Sequence, residues 1–347
     1  MSLDYSAVAW NGEKKTYDLV LAAGAALYLA VFTGTALWVH PEITAETLVI
    51  RAVGTLALLL LHVILAIGPL CRLHPAFLPL LYNRRHMGVT MFVLALGHGV
   101  FALIQFHAAG DLNPFLSLLT SHTSWSRITA IPFQLFGLLA LFLLFAMAST
   151  SHDFWLKNLT APVWKALHML VYVAYTLLFA HVCFGALQSE AHAAYAVAMA
   201  TGMCLLCGLH IAAGLREKAI DAGGPRGDGF VDVCGVDDIP EKRARIVMLE
   251  GERVAVFRYD GKISAVSNVC QHQNGPLGEG KIVAGCITCP WHGYQYLPDS
   301  GASPPPFTEK VPTFQVNVRE DRVFVHPVAF AAGTRLEPGR VKAPCEM

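Results

Sequence analysis

Two short motifs in the last third of the chain carry the clearest chemistry: Cys270-Gln271-His272 and Cys289-Pro290-Trp291-His292. The pattern is C-x-H, then sixteen residues, then C-x-x-H. Two thiolates and two imidazoles in two short pairs can hold one zinc ion or a two-iron cluster. Cys286 favours zinc, because Cys286-x-x-Cys289 forms a further pair. A two-iron cluster with sulfur on one iron and nitrogen on the other needs each motif to serve both irons. That works if each motif sits at the tip of a loop.

A second set of histidines lies among apolar residues: His62, His86, His98, His168, His181 and His210. Histidine inside a membrane span is costly and is functional or well paired. Facing helices of a bundle can supply axial ligands to haem. His86 and His98 are 12 residues apart, and His168 and His181 are 13 apart. Each spacing covers about 18–20 Å of helix axis, enough to stack two haems. It also turns the paired histidines about 120–140° apart around a straight helix, which favours one haem over two. His210 reads as a helix–helix hydrogen bond, and Arg84-Arg85 and Trp164-Lys165 as anchors at span ends. Cys204-Leu205-Leu206-Cys207 sits mid-span, where small-residue packing is expected rather than thiol chemistry.

The elements that must position these residues divide the chain in two. Of 347 residues, 54% are hydrophobic and 14% are charged, well below the quarter usual in soluble domains. A disordered chain is excluded, and the composition points to a membrane protein with a soluble part attached. With 25 basic and 25 acidic residues, nothing points to nucleic acid. Nine cysteines are too scattered for a disulfide scaffold. Six stretches carry no Asp, Glu, Lys or Arg: Leu19–His40, Ala52–Cys71, Met87–Ala109, Ile128–Ser151, Ala166–Gln188 and Ala193–Leu215. Each has the roughly 20 residues a helix needs to cross a bilayer. One set of connecting segments holds Lys14, Lys15, Arg72, Arg84, Arg85, Lys157, Lys165, Arg216 and Lys218; the other holds Arg51 and Arg127. The first set, with both termini, is therefore expected in the cytoplasm.

After the hinge-like run DAGGPRGDG at 221–229, the pattern shortens to alternating segments with turn signals such as Asp260-Gly261. The expected architecture is a membrane all-α six-helix bundle followed by a small all-β domain. The expected boundaries are 1–217 for the spans, 218–229 for a flexible linker, 230–328 for the β domain and 329–347 for an irregular tail.

The run CQHQNGPLGEGKIVAGCITCPWHGYQY closely resembles the cluster-binding signature of Rieske [2Fe–2S] proteins. The resemblance implies that Cys270 and Cys289 bind the inner iron, and His272 and His292 the outer one. High-potential members carry a disulfide between the two loops, where this chain has Gly275 and Trp291. They also place a serine where Tyr294 stands, whereas Tyr296 matches their tyrosine. Fewer hydrogen bonds to the sulfurs imply a potential near the low end of the roughly −150 to +300 mV Rieske range. Disulfide-free Rieske ferredoxins are the closer likeness. The segments RRHMGVTMFVLALGH (84–98) and WKALHMLVYVAYTLLFAH (164–181) resemble helices of the ferric reductase-like transmembrane family. This second resemblance implies one or two b-type haems held by His98, His168 and His181, with His86 as a further ligand. His62 is the alternative ligand.

An oxygenase would need a 2-His-1-carboxylate iron site downstream, and only His326 follows His292. No βαβ unit or G-x-G-x-x-G in context marks a flavin or nicotinamide site. The expectation is an integral membrane protein of a bacterial inner membrane with both termini and the Rieske domain cytoplasmic. It would relay electrons between the cluster and haem b toward an acceptor on the far side. A cytoplasmic reductase or ferredoxin is the expected donor, and the acceptor is unspecified. The alternative is a redox or iron/oxygen sensor without turnover.

Overall fold

A computed structural model describes residues 12–81, 83–121, 131–151, 159, 161–189, 193–222, 229–272, 274–291 and 293–341. The chain forms two compact units. One holds Gly12–Pro69 and Asn83–His210; the other holds Leu70–Tyr82 and the chain from Ile211 onward.

The first unit is helical. Its elements are α1 (Gly12–Val39), α2 (Ala45–Leu73), α3 (Arg84–His107), α4 (Pro114–Thr120), α5 (Phe133–Ser149), α6 (Ala161–Met169), α7 (Val171–Phe184) and α8 (Ala193–Ala222). The ends of α2 and α8 belong to the second unit. Among the described residues, five stretches are long and apolar enough to cross a membrane: Lys14–Val39, Ala45–Leu73, Arg84–His107, Val163–Gln188 and Ala193–Ala222. The remaining expected span differs. The expected span begins at Ile128, but Pro132 stands at the N-cap of α5 and the helix starts at Phe133. Proline has no amide proton and disfavours a helical residue before it. The resulting 17-residue helix is about 26 Å long, at the lower limit for a bilayer core.

α5 packs against α3 and α7, and Leu61, Ile67, Ala140 and Ala174 are fully buried inside the unit. Leu19, Leu27, Val197 and Leu205 are exposed, as apolar side chains facing lipid would be. The fifth span is not one straight helix. At Leu170 the amide bonds the carbonyl of Leu167, three residues back, and this 3₁₀ step separates α6 from α7. It changes the angular phase between His168 and His181 that a straight helix would fix.

The β domain forms most of the second unit. Its strands are β1 (Val231–Gly235), β2 (Ala244–Leu249), β3 (Glu252–Tyr259), β4 (Lys262–Ser267), β5 (Lys281–Val283), β6 (Cys286–Thr288), β7 (Gln295–Tyr296), β8 (Thr313–Phe314), β9 (Val316–Arg319), β10 (Arg322–Val325) and β11 (Gly339–Arg340). Three antiparallel sheets result, ordered β1-β10-β9, β11-β4-β3-β2 with β8 beside β4, and β5-β6-β7. β3 is buried on both faces. Val254 and Val256 join one core with Ile263, Phe314 and Val323. Ala255 and Phe257 join another with Leu277, Ile287 and Tyr296. Alternate residues of a strand face opposite sides, so a strand covered on both reads as an unbroken apolar run. The hairpins turn on pairs with positive φ, as at Asp260-Gly261 (47° and 69°) and Glu320-Asp321 (49° and 59°).

Two boundaries differ from expectation. α8 continues through Ala222, into the segment read as linker, and its end is held by charge. Arg253 of β3 binds Glu217 at 2.7 Å and Asp221 at 2.8 Å. Arg72 at the end of α2 lies 3.7 Å from Glu217 and 3.5 Å from Glu279. The tail read as irregular contains β11, where Gly339 and Arg340 pair with Ile263 and Lys262. A two-residue edge strand is held by backbone bonds and leaves no periodic trace in the sequence.

Candidate metal centres

The two thiol loops are built alike. The Cys270 amide donates to the Gly275 carbonyl at 2.9 Å, and the Asn274 amide donates back to the Cys270 carbonyl at 2.7 Å. The Cys289 amide donates to the Tyr294 carbonyl at 2.8 Å, and the Gly293 amide to the Cys289 carbonyl at 2.9 Å. The fifth residue of each loop has positive φ, 57° at Asn274 and 74° at Gly293. Each cysteine thus opens a loop knotted by the same two backbone bonds. The first loop follows β4 and is closed by a bridge between Val269 and Pro276. The second joins β6 to β7.

Cys270 and Cys289 are buried in one hydrophobic cluster with Tyr294 and Tyr296, and Trp291 packs against it. Cys286 lies on β6, outside that cluster, and burial pushes its thiol upward from the ordinary cysteine value. A Cβ added to Gly275 would stand 2.7 Å from the Cys289 sulfur and 3.2 Å from Trp291. The first loop therefore passes the second cysteine at a distance only glycine allows, as a cradle around a shared inorganic core requires. Two buried thiols and a histidine on these knotted loops match the donor set of a [2Fe–2S] cluster. His292, the fourth expected ligand, lies outside the described residues.

Two tyrosines shape this site. The Tyr296 hydroxyl lies 3.4 Å from the Cys270 sulfur and accepts the Gln271 amide at 2.9 Å. Burial, then the neighbouring Cys270, pushes that hydroxyl upward in pKa, so it remains a donor. Tyr294 does not act as the serine it replaces. Its hydroxyl donates to the Glu309 carboxylate, and its ring stacks on His272 with centres 4.9 Å apart and planes at 6°. Burial alone would raise Glu309. The bonds from Tyr294 and from backbone amides outweigh it and hold the carboxyl below its ordinary value.

In the helical unit, His98 of α3 and His181 of α7 face one another, with ring centres 6.2 Å apart and planes at 89°. His98 Nδ1 lies 3.0 Å from the Ile50 carbonyl, and His181 Nδ1 lies 2.9 Å from the Phe133 carbonyl. A carbonyl only accepts, so each Nδ1 carries the proton and each Nε2 carries the lone pair. His168 Nδ1 bonds the Trp164 carbonyl at 3.0 Å, and its ring stacks on that indole. His86 Nδ1 meets the Asp18 carboxylate at 2.9 Å. His62 and His168 both have their Nε2 partnered: His62 Nδ1 bonds the Leu58 carbonyl at 2.9 Å and Nε2 the Tyr175 hydroxyl at 3.1 Å, while His168 Nε2 lies 3.5 Å from the Ser151 hydroxyl. His210 pairs with Tyr172 at 3.1 Å, a helix–helix bond of the kind expected.

Several of these partners escaped the sequence reading. Asp18 stands one residue before the first uncharged stretch, and that position was the available signal. Nothing in the sequence singled out Glu309, Ile50 or Phe133, because two of them act through backbone carbonyls.

Comparison with known proteins places a Rieske [2Fe-2S] domain at residues 229–315. A ferric reductase like transmembrane component matches residues 52–179. A 3-phenylpropionate/cinnamic acid dioxygenase ferredoxin subunit from Photorhabdus laumondii is 30% identical over 95 residues, 27% of this chain and 90% of that protein. Cholesterol 7-desaturase from Xenopus laevis is 38% identical over 79 residues, 22% of this chain. The chain spans only 17% of that desaturase's length. The structure of a carbazole 1,9a-dioxygenase ferredoxin from Nocardioides aromaticivorans is 26% identical, with a TM-score of 0.27, covering 29% of this chain and 99% of that one.

Proposed function

Because this chain belongs to the Rieske [2Fe-2S] family through residues 229–315 and carries a ferric reductase like transmembrane component at 52–179, we propose that it relays electrons between a cytoplasmic Rieske cluster and b-type haem in the membrane. A cytoplasmic reductase or ferredoxin would be the donor, and the acceptor would lie across the membrane. When bound, cluster and haem supply one-electron chemistry; the protein supplies position, burial and hydrogen bonds.

Cys270, His272, Cys289 and His292 hold the cluster in this reading. His98 and His181 hold haem, and His86 and His168 are the candidates for a second. The observation that carries the haem assignment is the spacing of the facing rings. An imidazole nitrogen binds a transition metal at about 2 Å and lies about 1 Å from the ring centre, so two imidazoles across one iron have centres roughly 6 Å apart. The 6.2 Å between His98 and His181 fits. The Asp18–His86 contact has the form of the carboxylate partners that orient ligating histidines. His62 is the weaker candidate, because Tyr175 holds its Nε2 at 3.1 Å, a closer contact than the 3.5 Å between Ser151 and His168 Nε2.

The backbone bonds that knot the Rieske loops lie within the loops, and the buried thiols keep the inner half of the site from water. Tyr296 orients its proton toward the Cys270 sulfur. Tyr294 and Glu309 hold the plane of His272.

The test is an optical spectrum and a low-temperature EPR spectrum of the detergent-purified protein, oxidised and reduced. Haem bands together with a Rieske signal are expected. A Rieske signal alone, in protein from haem-replete cells, would defeat the relay and favour a redox or iron/oxygen sensor. In sealed vesicles with the Rieske domain outward, a ferredoxin–reductase pair outside should reduce an acceptor trapped inside.

A further inference from the structure

We infer that Gly54 and Gly137 are matched positioning residues that seat His98 and His181 for axial ligation, a role that rests on the haem reading above. In an α-helix each Cα–Cβ bond tilts toward the N-terminus, so the side chain at position i+4 lies over the carbonyl at position i. A carbonyl can then accept a second, external donor from the side only where position i+4 lacks a Cβ. Ile50 and Gly54 stand in that relation on α2, and Phe133 and Gly137 stand in it on α5. A Cβ on Gly54 would meet His98 Nδ1 at 2.6 Å and Cε1 at 3.0 Å. A Cβ on Gly137 would meet His181 Nδ1 at 2.7 Å and Cε1 at 2.9 Å. The two imidazoles thus lie in the same notch, in the same orientation, on different helices.

The repetition is what gives the construction meaning. One glycine beneath a histidine is ordinary close packing. His62 shows this, because a Cβ on Gly202 would stand 2.9 Å from its Nε2 while its Nδ1 bonds its own helix. At Gly54 and Gly137 the notch instead exposes the carbonyl that receives the histidine proton. Each seat fixes the tautomer, leaves Nε2 as the coordinating atom, and fixes the ring plane. Together the two seats set the planes at 89° to one another.

The test uses full-length protein with Gly54→Ala and Gly137→Ala. Gly97→Ala is the control, because a Cβ there meets nothing within 4 Å although it adjoins His98. The parent and the control should show a six-coordinate, low-spin haem with the highly anisotropic ferric EPR signal of near-perpendicular imidazole planes. Each seat variant should lose haem, or gain a high-spin fraction that binds carbon monoxide when reduced, while the Rieske EPR signal stays as in the parent. Should a seat variant fail to fold, Gly54→Ala/His98→Ala and Gly137→Ala/His181→Ala remove the imidazole that the new Cβ strikes. Recovery of folding in these pairs supports the seats, and continued failure overturns them. Parent-like haem spectra in both single variants would overturn the seats while leaving haem binding intact. A haem-free parent would overturn the ligand reading itself.

Discussion

The Tyr296 hydroxyl is the strongest handle on the potential of the cluster site. Tyr296→Phe removes the hydrogen bond to the Cys270 sulfur, 3.4 Å away, and leaves the buried ring in place. A hydrogen bond to a charged group contributes about 1.5–3 kcal/mol. Only the part that grows when an electron is added affects the potential. If that part is about 1 kcal/mol, the one-electron scale of about 59 mV per 1.4 kcal/mol gives a shift of roughly 40 mV. The sign is downward, because the reduced state carries more negative charge on sulfur and loses more when the donor is removed. The variant also strips the Gln271 amide of its acceptor at 2.9 Å, a separate stability cost of about 1–3 kcal/mol. The two effects separate in two assays: an EPR-monitored redox titration of the full chain, and thermal unfolding. A midpoint that rises, or moves by less than about 10 mV, would refute the claim that this hydroxyl stabilises charge on the Cys270 sulfur.

Other substitutions probe the same framework. Gly275→Ala places a Cβ 2.7 Å from the Cys289 sulfur and should abolish the Rieske EPR signal, with the haem spectrum unchanged. Glu309 has a lowered pKa, so its contribution to stability is present above the ordinary value of 4.5 and is lost as pH falls below it. Glu309→Gln should therefore flatten the acid limb of a melting-temperature profile, and an unchanged limb would count against the Tyr294–Glu309 bond. Arg253→Ala removes the pairs to Glu217 and Asp221. Each is partly exposed and contributes up to about 1 kcal/mol, so hydrogen exchange over 217–222 should speed up modestly and lose its salt dependence. Cys234 is buried with its thiol raised to about 11, and should resist alkylation at pH 8 until the domain unfolds.

The cluster motif was readable because its ligands are side chains at short, fixed spacing, and because loop glycines and prolines have few other uses. The hairpins were readable for the same local reason, as at Asp260-Gly261. The features that escaped the sequence depend on distance in space. Tyr294 and Glu309 are fifteen residues apart and meet only once the domain closes. The seats under His98 and His181 pair a glycine with a backbone carbonyl on another helix, and carbonyls have no sequence signature. The straight-helix arithmetic that favoured one haem over two did not anticipate the 3₁₀ step at Leu170, where neither proline nor glycine marks the change. The end of α8 was missed because Glu217, Lys218 and Asp221 look like the start of a polar linker, yet two of them are partners of Arg253.

That clasp sets a leash. With Glu217 and Asp221 held by Arg253, the last firm anchor before the β domain is Ala222, and only residues 223–228 separate it from Gly229. Arg253 belongs to β3, so while these pairs hold, the β domain and the last turn of α8 move together. In the relay proposed above, lengthening the 223–228 segment should therefore change the rate of electron entry far less than opening the clasp with Arg253→Ala.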